Sequence, residues 1–186
     1  QWQVQAAAKQ HEGLYVYNPM FASSRDYSRM LTSQAHRSRS VSPRLTLTAG
    51  ASGEVRGINS ATMGNHQDAA AGAFLTSQWQ ATERLTLNGS GRIDYDEAYG
   101  WEATPQASIA YTVPVVTLRA AAGRTVRAPS YTERSIAPEV EAPAPNPGTP
   151  SLSAEPSWSS AAGVDLHPTT GAPLHATGFS CTTISL

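Results

Sequence analysis

The stretch Leu45 to Val55 reads LTLTAGASGEV, and at every step it alternates an apolar or small residue with a polar one. Two further stretches repeat this pattern, LTLNGSGRIDY over 85–95 and WEATPQASIAYTV over 101–113. Successive side chains of a β-strand point to opposite faces of its sheet. The alternation therefore predicts strands with one dry face and one wet face.

The length of these runs indicates where the strands reside. Strands of soluble proteins average about 5–6 residues, whereas a tilted strand that crosses a membrane needs about 9–11. Less regular copies of the alternation complete a set of eight candidate strands, at about 1–17, 27–39, 68–81, 115–126 and 156–167. The sequence therefore predicts an all-β fold, an antiparallel transmembrane β-barrel segment of about eight long strands.

The connections between the candidate strands alternate in length. Short turns are predicted near 42–43, 82–84 and 113–114, and longer polar segments at 18–26, 58–67, 96–100 and 127–155. Short turns at one end and long loops at the other are typical of outer-membrane barrels. The segment 127–155 is rich in proline, which excludes a regular strand or helix and predicts an exposed loop.

Composition and charge exclude several classes of protein. The net charge is −1, and the scattered basic residues give no electrostatic footprint for a nucleic-acid partner. A single cysteine, Cys181, excludes an internal disulfide framework. No apolar run reaches the roughly 18 residues of a membrane-spanning helix. The chain begins at Gln1 without a leader, which predicts a mature product or a piece of a longer chain.

No catalytic, cofactor-binding or metal-ligating set is predicted, and we do not expect an enzyme. Nucleophile-elbow and phosphate-loop motifs do not occur. The five histidines lack metal-ligand spacing. Asp94, Asp96, Glu97 and Glu102 carry oxygen donors that suit Ca²⁺. Without a calcium-loop spacing, however, a solvated acidic mouth is the preferred interpretation, and calcium binding stays open.

Two alternatives remain open on the residues alone. Asn88-Gly89 is a strong hairpin signal, which would split 85–95 into the short strands of a soluble β-sandwich binding module. The apolar alternation nevertheless continues through Gly89 to Tyr95, so one long strand is predicted. Eight strands can also close by themselves, which would give a self-contained structural or adhesion barrel in the outer membrane.

The stretch LRAAAGRTVRAPSYTE over 118–133 resembles a segment of TonB-dependent outer-membrane receptors. In that family a strand ends before Arg-Ala-Pro, and a hydroxyl residue, an aromatic residue and Thr-Glu follow. The matching positions of this loop motif, and of its Asn-Pro and Leu-x-Pro-Glu continuation, are Arg127, Ala128, Pro129, Ser130, Tyr131, Glu133, Asn146, Pro147, Leu152 and Glu155. Segments 72–79 and 105–111 resemble further strands of the family.

The resemblance implies energised uptake of a siderophore, cobalamin or a similar nutrient across the outer membrane of a Gram-negative bacterium. It implies a lipid-embedded barrel and, in the parent receptor, a plug domain, TonB and a small nutrient ligand as partners. A transporter barrel of this type has about 22 strands, so we expect residues 1–167 to form a partial barrel that is not transport-competent. The likeness stops after Leu166. Residues 168–186 are therefore left unassigned, and an aberrant tail is one interpretation of them.

Overall fold

The computed structural model describes residues 2–16, 24–61, 63–135, 152–167 and 174–183. They form one antiparallel sheet of ten strands and one short helix. The elements are β1 (Trp2–Tyr15), β2 (Ser24–Ser42), β3 (Leu45–Ser60), β4 (Gly64–Gln80), β5 (Leu85–Asp96), β6 (Gly100–Ala103), β7 (Gln106–Val113), β8 (Val116–Arg127), α1 (Tyr131–Ser135), β9 (Glu155–Leu166) and β10 (Leu174–Thr183). This architecture confirms the predicted fold class. The expectation that 127–155 contains no regular helix was wrong, because α1 forms in the short proline-free stretch after Pro129.

The sheet is a meander in which each strand pairs with its neighbour in sequence. The order is β1-β2-β3-β4-β5-β7-β8-β9-β10, and β6 pairs with the end of β5 beyond β7. Within the described residues β1 and β10 are the two edges and do not pair with each other. The sheet is therefore an unclosed wall of a barrel.

Two strands account for the difference between eight predicted and ten observed. The run 101–113 is divided at Thr104-Pro105, because proline has no N–H to donate to the ladder. The break leaves Thr104 N–H bonded to the carbonyl of Arg92 (2.8 Å). The second addition is β10, which lies in a stretch without a predicted strand and pairs with β9 from Leu174 to Thr183.

Several strands are longer than the alternation suggested. β3 continues to Ser60 and β4 begins at Gly64, so a tight connection stands where a loop over 58–67 was predicted, and that prediction was wrong. Gly64 has a φ of 80°, which favours glycine in such a tight connection. β5 runs without interruption through Asn88-Gly89, which confirms one long strand there.

The register separates an apolar face from a polar face. Leu47 pairs with Ser77 and Leu87 pairs with Trp79, and because Ser77 and Trp79 lie two residues apart on β4, both leucines share one face. Thr48 and Asn88 therefore lie on the other face. On the polar face Asn88 Nδ2 donates to Ser108 Oγ (3.1 Å). The polar face is concave, and its side chains line a cavity of about 800 Å³ that extends from β3 to β10.

The apolar face is uncovered. Its exposed large side chains include Val4, Leu31, Leu75, Ile93, Ile109, Leu118 and Val164. Trp79, Trp101 and Trp158 are exposed near strand ends, as in the aromatic girdles of membrane barrels. Among the described residues the buried apolar side chains are few and small: Ala154, Pro129 and Pro156. The sheet therefore has a membrane barrel's distribution of side chains, with no dry core between two layers.

No helix within the described ranges combines the length and hydropathy needed to span a membrane.

Candidate functional site

The loop that carries the family motif begins and ends at a group of opposite charges, Arg127, Glu133 and Glu155, which we call the clamp. Arg127 is the last residue of β8 and lies opposite Glu155, the first residue of β9. Its guanidinium contacts Glu155 Oε2 at 3.2 Å and also binds the carboxylate of Glu133. Because Arg127 contacts Glu133 after β8 and Glu155 at the start of β9, it holds the two ends of the 128–154 connection together where the two strands separate.

A capping box starts α1 immediately after the clamp. The Glu133 N–H donates to Ser130 Oγ (3.2 Å), and the Glu133 carboxylate accepts from the Ser130 backbone N–H (2.7 Å). This reciprocal pair satisfies two backbone donors that a helix start leaves free. The backbone N–H of Ser130, followed by the Arg127 guanidinium, lowers the pKa of Glu133 to about 2. Pro129 is buried beside this turn, and Ala128 and Ser130 are exposed.

Helix α1 packs against the polar face of the sheet. Arg134 reaches Asp68 of β4 at 2.6 Å, with 11% and 15% of the two side chains exposed. The Tyr131 hydroxyl donates to the carbonyl of Arg56 (3.3 Å), and its ring stacks on His66 with centroids 6.1 Å apart. Burial raises the pKa of the Tyr131 hydroxyl, and the negative charge of Asp68 adds to the effect.

An ion-pair network joins β3, β4 and β5 beneath α1, and we call it the mouth cluster: Glu54, Arg56, Asp68, Asp96 and Arg134. At its centre Arg56 Nη2 donates to Asp96 Oδ2 at 2.6 Å, and the Asp96 side chain is fully buried. Arg56 also contacts Glu54 at 3.2 Å and Asp68 at 3.9 Å. The mouth cluster thus couples three strands of the wall to the loop helix.

The acidic residues at this end are paired with protein groups. Asp94 binds Arg92 at 2.5 Å, and Asp96 also accepts the Ala98 N–H at 2.8 Å. Glu97 accepts the Ala69 N–H at 2.8 Å. The interpretation as a solvated acidic mouth was wrong for Asp96, which strand register buries against Arg56 of β3. Asp94 pairs with Arg92 two residues earlier on β5, Glu102 pairs with Arg124 of β8 at 2.7 Å, and Glu97 is exposed. Burial raises the pKa of the nearby Tyr99 hydroxyl, and the charge of Asp96 raises it further.

The structure brings part of the predicted site together. Arg127, Ser130, Glu133 and Glu155 form the clamp and capping box, whereas Tyr131 points to the mouth cluster. Leu152 lies just before β9 and is 36% exposed. Asn146 and Pro147 lie outside the described residues.

Sequence reasoning missed the mouth cluster and the capping box. The capping box has a local signal, Ser130-x-x-Glu133, which is a helix-start pattern. The sequence signal for the mouth cluster is weaker. Glu54, Arg56 and Asp96 all lie at the polar positions of alternating strands, which places them on one face but does not say which of them pair. Their pairing depends on the register between strands, which the sequence pattern does not supply.

A second ion-pair group lies at the opposite end of the polar face. Asp165 of β9 accepts from Arg119 of β8 at 2.7 Å and contacts His175 Nδ1 of β10 at 2.8 Å. The Asp165 side chain is 8% exposed. This group ties β10 to the wall, and it lies near the turn that joins β7 and β8.

Comparison with protein-family models identifies the class of protein. Residues 4–180 match the model described as TonB dependent receptor-like, beta-barrel. The match covers nearly the whole chain, including most of β10. The chain belongs to the TonB-dependent receptor β-barrel family, which confirms the resemblance drawn from the loop motif.

Solved receptor barrels share the fold. The chain is similar to the siderophore receptor PirA from Pseudomonas aeruginosa, with 16% identity, a TM-score of 0.74, and coverage of 98% of this chain and 39% of that chain. A variant of the ferric enterobactin receptor PfeA from Pseudomonas aeruginosa gives 16% identity, a TM-score of 0.78, and coverage of 98% and 31%. The copper transporter OprC gives 15% identity, a TM-score of 0.74, and coverage of 98% and 36%. No curated protein sequence matches.

The chain spans about a third of the length of these proteins. The ten strands of its described residues compare with about 22 in a complete transporter barrel of this type.

Proposed function

We propose that this chain forms part of the wall and mouth of an outer-membrane receptor that imports a siderophore, cobalamin or a similar scarce nutrient. The observation that carries the proposal is the match of residues 4–180 to the receptor barrel family. Siderophores are the favoured substrate class, because the matched structures include a siderophore receptor and a ferric enterobactin receptor. The proposed location is the outer membrane of a Gram-negative bacterium.

The residues described above suit a receptor wall and assign the chain no step of covalent chemistry. The apolar face meets lipid, and the concave face presents hydroxyl and amide groups such as Thr48, Asn88 and Ser108 to the lumen. At the mouth, the clamp and the mouth cluster hold the start of the 128–154 connection against the wall. In the complete receptor, a plug domain and TonB are the partners that open the lumen, and a small nutrient is the ligand.

Residues 1–186 by themselves are proposed to be incompetent for transport. The edges β1 and β10 carry unpaired backbone groups, and each such group costs several kcal/mol in lipid. In water the same edges would template association between copies. The absence of a β1–β10 pairing within the described residues also counts against a self-contained eight-stranded barrel. The uncovered apolar face counts against a soluble β-sandwich.

A growth experiment tests the proposed function. The gene encoding this chain is deleted, and growth is measured under iron or cobalamin limitation with a panel of single siderophores, cobalamin or copper as supplement. We expect growth on one siderophore to be lost and to return with the complete gene, but not with a gene for residues 1–186 alone. Unchanged growth on every supplement, or a defect confined to copper, would contradict the proposed substrate class.

A biochemical experiment tests the claim about the isolated chain. Residues 1–186 are expressed alone, transferred into detergent, and compared with the complete receptor for heat-modifiable gel mobility and amide exchange. We expect aggregates or fast-exchanging edges in the isolated chain. A monomer with slowly exchanging amides in both β1 and β10 would instead support a small closed barrel.

A further inference from the structure

Two arginines interrupt the apolar face at one end of β2. Arg37 and Arg39 occupy the same face as Leu31, Leu47 and Ala49, because Arg37 pairs with Ala49 and Arg39 with Leu47. They lie five and three residues before the end of β2 at Ser42, beside the turn to β3. On β3 and β4 the corresponding positions of this face carry leucine, alanine and serine. Among these three neighbouring strands, only β2 therefore carries charged residues at these positions of the apolar face.

These arginines have no anionic partner among the residues that the structure describes. Both are exposed, and within the described part of the chain neither forms an ion pair with a carboxylate. Arg37 instead lies over the ring of Trp2, with its Cζ 5.6 Å from the ring centroid. By contrast, Arg25 at the other end of the same strand reaches Glu12 on the neighbouring strand β1 at 3.5 Å.

We propose that Arg37, Arg39 and Trp2 form a binding site for the phosphate of an anionic phospholipid headgroup on the outer wall of the barrel. The inference rests on the proposed membrane location and adds a lipid site that the uptake function does not require. A guanidinium on a lipid-facing strand is costly at the midplane and tolerated near the interface. Arginine can extend its head toward the headgroup layer while its stem stays on apolar surface.

The geometry favours this occupant. Guanidinium groups match phosphate oxygens through paired N–H donors. Trp2 is 66% exposed and offers an amphipathic ring of the kind found at the membrane interface. The site lies at the end of the short turns 43–44 and 81–84, which faces the periplasm in outer-membrane barrels. A phospholipid of the inner leaflet therefore fits better than a lipid of the outer leaflet.

The test uses the complete receptor in nanodiscs of phosphatidylethanolamine with added phosphatidylglycerol, and native mass spectrometry counts the phosphatidylglycerol retained. We expect the double variant Arg37→Gln/Arg39→Gln to weaken retention at least about tenfold, because hydrogen bonds to charged groups are lost. The matched control Arg25→Gln/Arg29→Gln removes the same charge from the other end of β2 and should retain phosphatidylglycerol as the unmodified receptor does.

Further variants and a separate measurement of insertion distinguish the possible outcomes. If the glutamine variant does not insert, Arg37→Lys/Arg39→Lys keeps the charge but loses the paired donors, and we expect intermediate retention. Equal retention in the unmodified receptor and in every variant that inserts would overturn the proposal, as would displacement of phosphatidylglycerol by lipopolysaccharide at this site. Heat-modifiable mobility reports insertion separately. Failure of the unmodified receptor to insert would count against the membrane location itself, and with it the lipid site.

Discussion

The buried ion pair of the mouth cluster gives the sharpest prediction, and Asp96→Asn is the change that tests it. Breaking one partner of a buried pair costs about 3–5 kcal/mol. Asp96 is fully buried, but Arg56 is 22% exposed and keeps contacts to Glu54 and Asp68. We therefore expect the lower end of that range, about 3 kcal/mol of unfolding free energy.

The matched control is Asp94→Asn, two residues earlier on the same strand and face. Asp94 is 25% exposed and its partner Arg92 is 37% exposed, so losing this pair should cost about 1 kcal/mol or less. Both variants are made in the complete receptor and unfolded with urea in lipid vesicles, with tryptophan fluorescence as the signal. Amide exchange of 131–135 should increase only in Asp96→Asn.

Equal costs for the two substitutions would refute the claim that burial makes the central pair strong. A double-mutant cycle with Arg56→Gln provides a second check on the same claim. A coupling energy below about 0.5 kcal/mol would mean that the two side chains act independently.

Three further predictions concern the faces, the packing and the loop base. Leu87 lies two residues from the start of β5, so Leu87→Arg should cost about 1 kcal/mol, the cost for a lipid-facing arginine near the interface, and Asn88→Arg less, when unfolding is measured in lipid. Gly50→Ala should cost about 1–3 kcal/mol, because a Cβ there would lie 2.7 Å from the carbonyl oxygen of Ala35, while Gly91→Ala meets no atom within 4 Å and should be close to neutral in the same assay. Because the folded pKa of Glu133 is lowered to about 2, its stabilisation of the loop base should be complete above its ordinary value and lost as the pH falls toward 2. Exchange protection of 131–135, corrected for intrinsic rates, should show this decline in the unmodified receptor and not in Glu133→Gln.

The strands β3 and β5 could be predicted from sequence because their two faces differ in polarity. In the proposed setting, lipid on one side and a polar lumen on the other impose an alternation that continues even across Asn88-Gly89. β10 could not be predicted in this way. Its lipid-side positions include Gly178 and Ser180, and its polar-side positions include Phe179, so the two faces do not differ in the expected sense. Its strand conformation depends on the ladder with β9.

The candidate site likewise has one part that the local sequence predicts and one part that depends on strand register. The clamp of Arg127, Glu133 and Glu155 lies on residues that the family motif singles out, because both strand ends and the capping box are encoded locally. The mouth cluster joins Arg56 to Asp96, forty positions later, and Asp68 to Arg134. Those contacts follow from strand register and from the return of α1 onto the sheet, which no local pattern specifies.

If one face of this sheet meets lipid and the other meets the lumen, labels at residues 87 and 88 should respond to different quenchers. Single cysteines at Leu87 and Asn88 are labelled with a fluorophore in the complete receptor, with Cys181→Ser as background, and reconstituted in vesicles. We expect that a quencher carried by lipid chains quenches the label at 87, and that only a water-soluble quencher reaches the label at 88. Equal quenching of both labels by either reagent would contradict it.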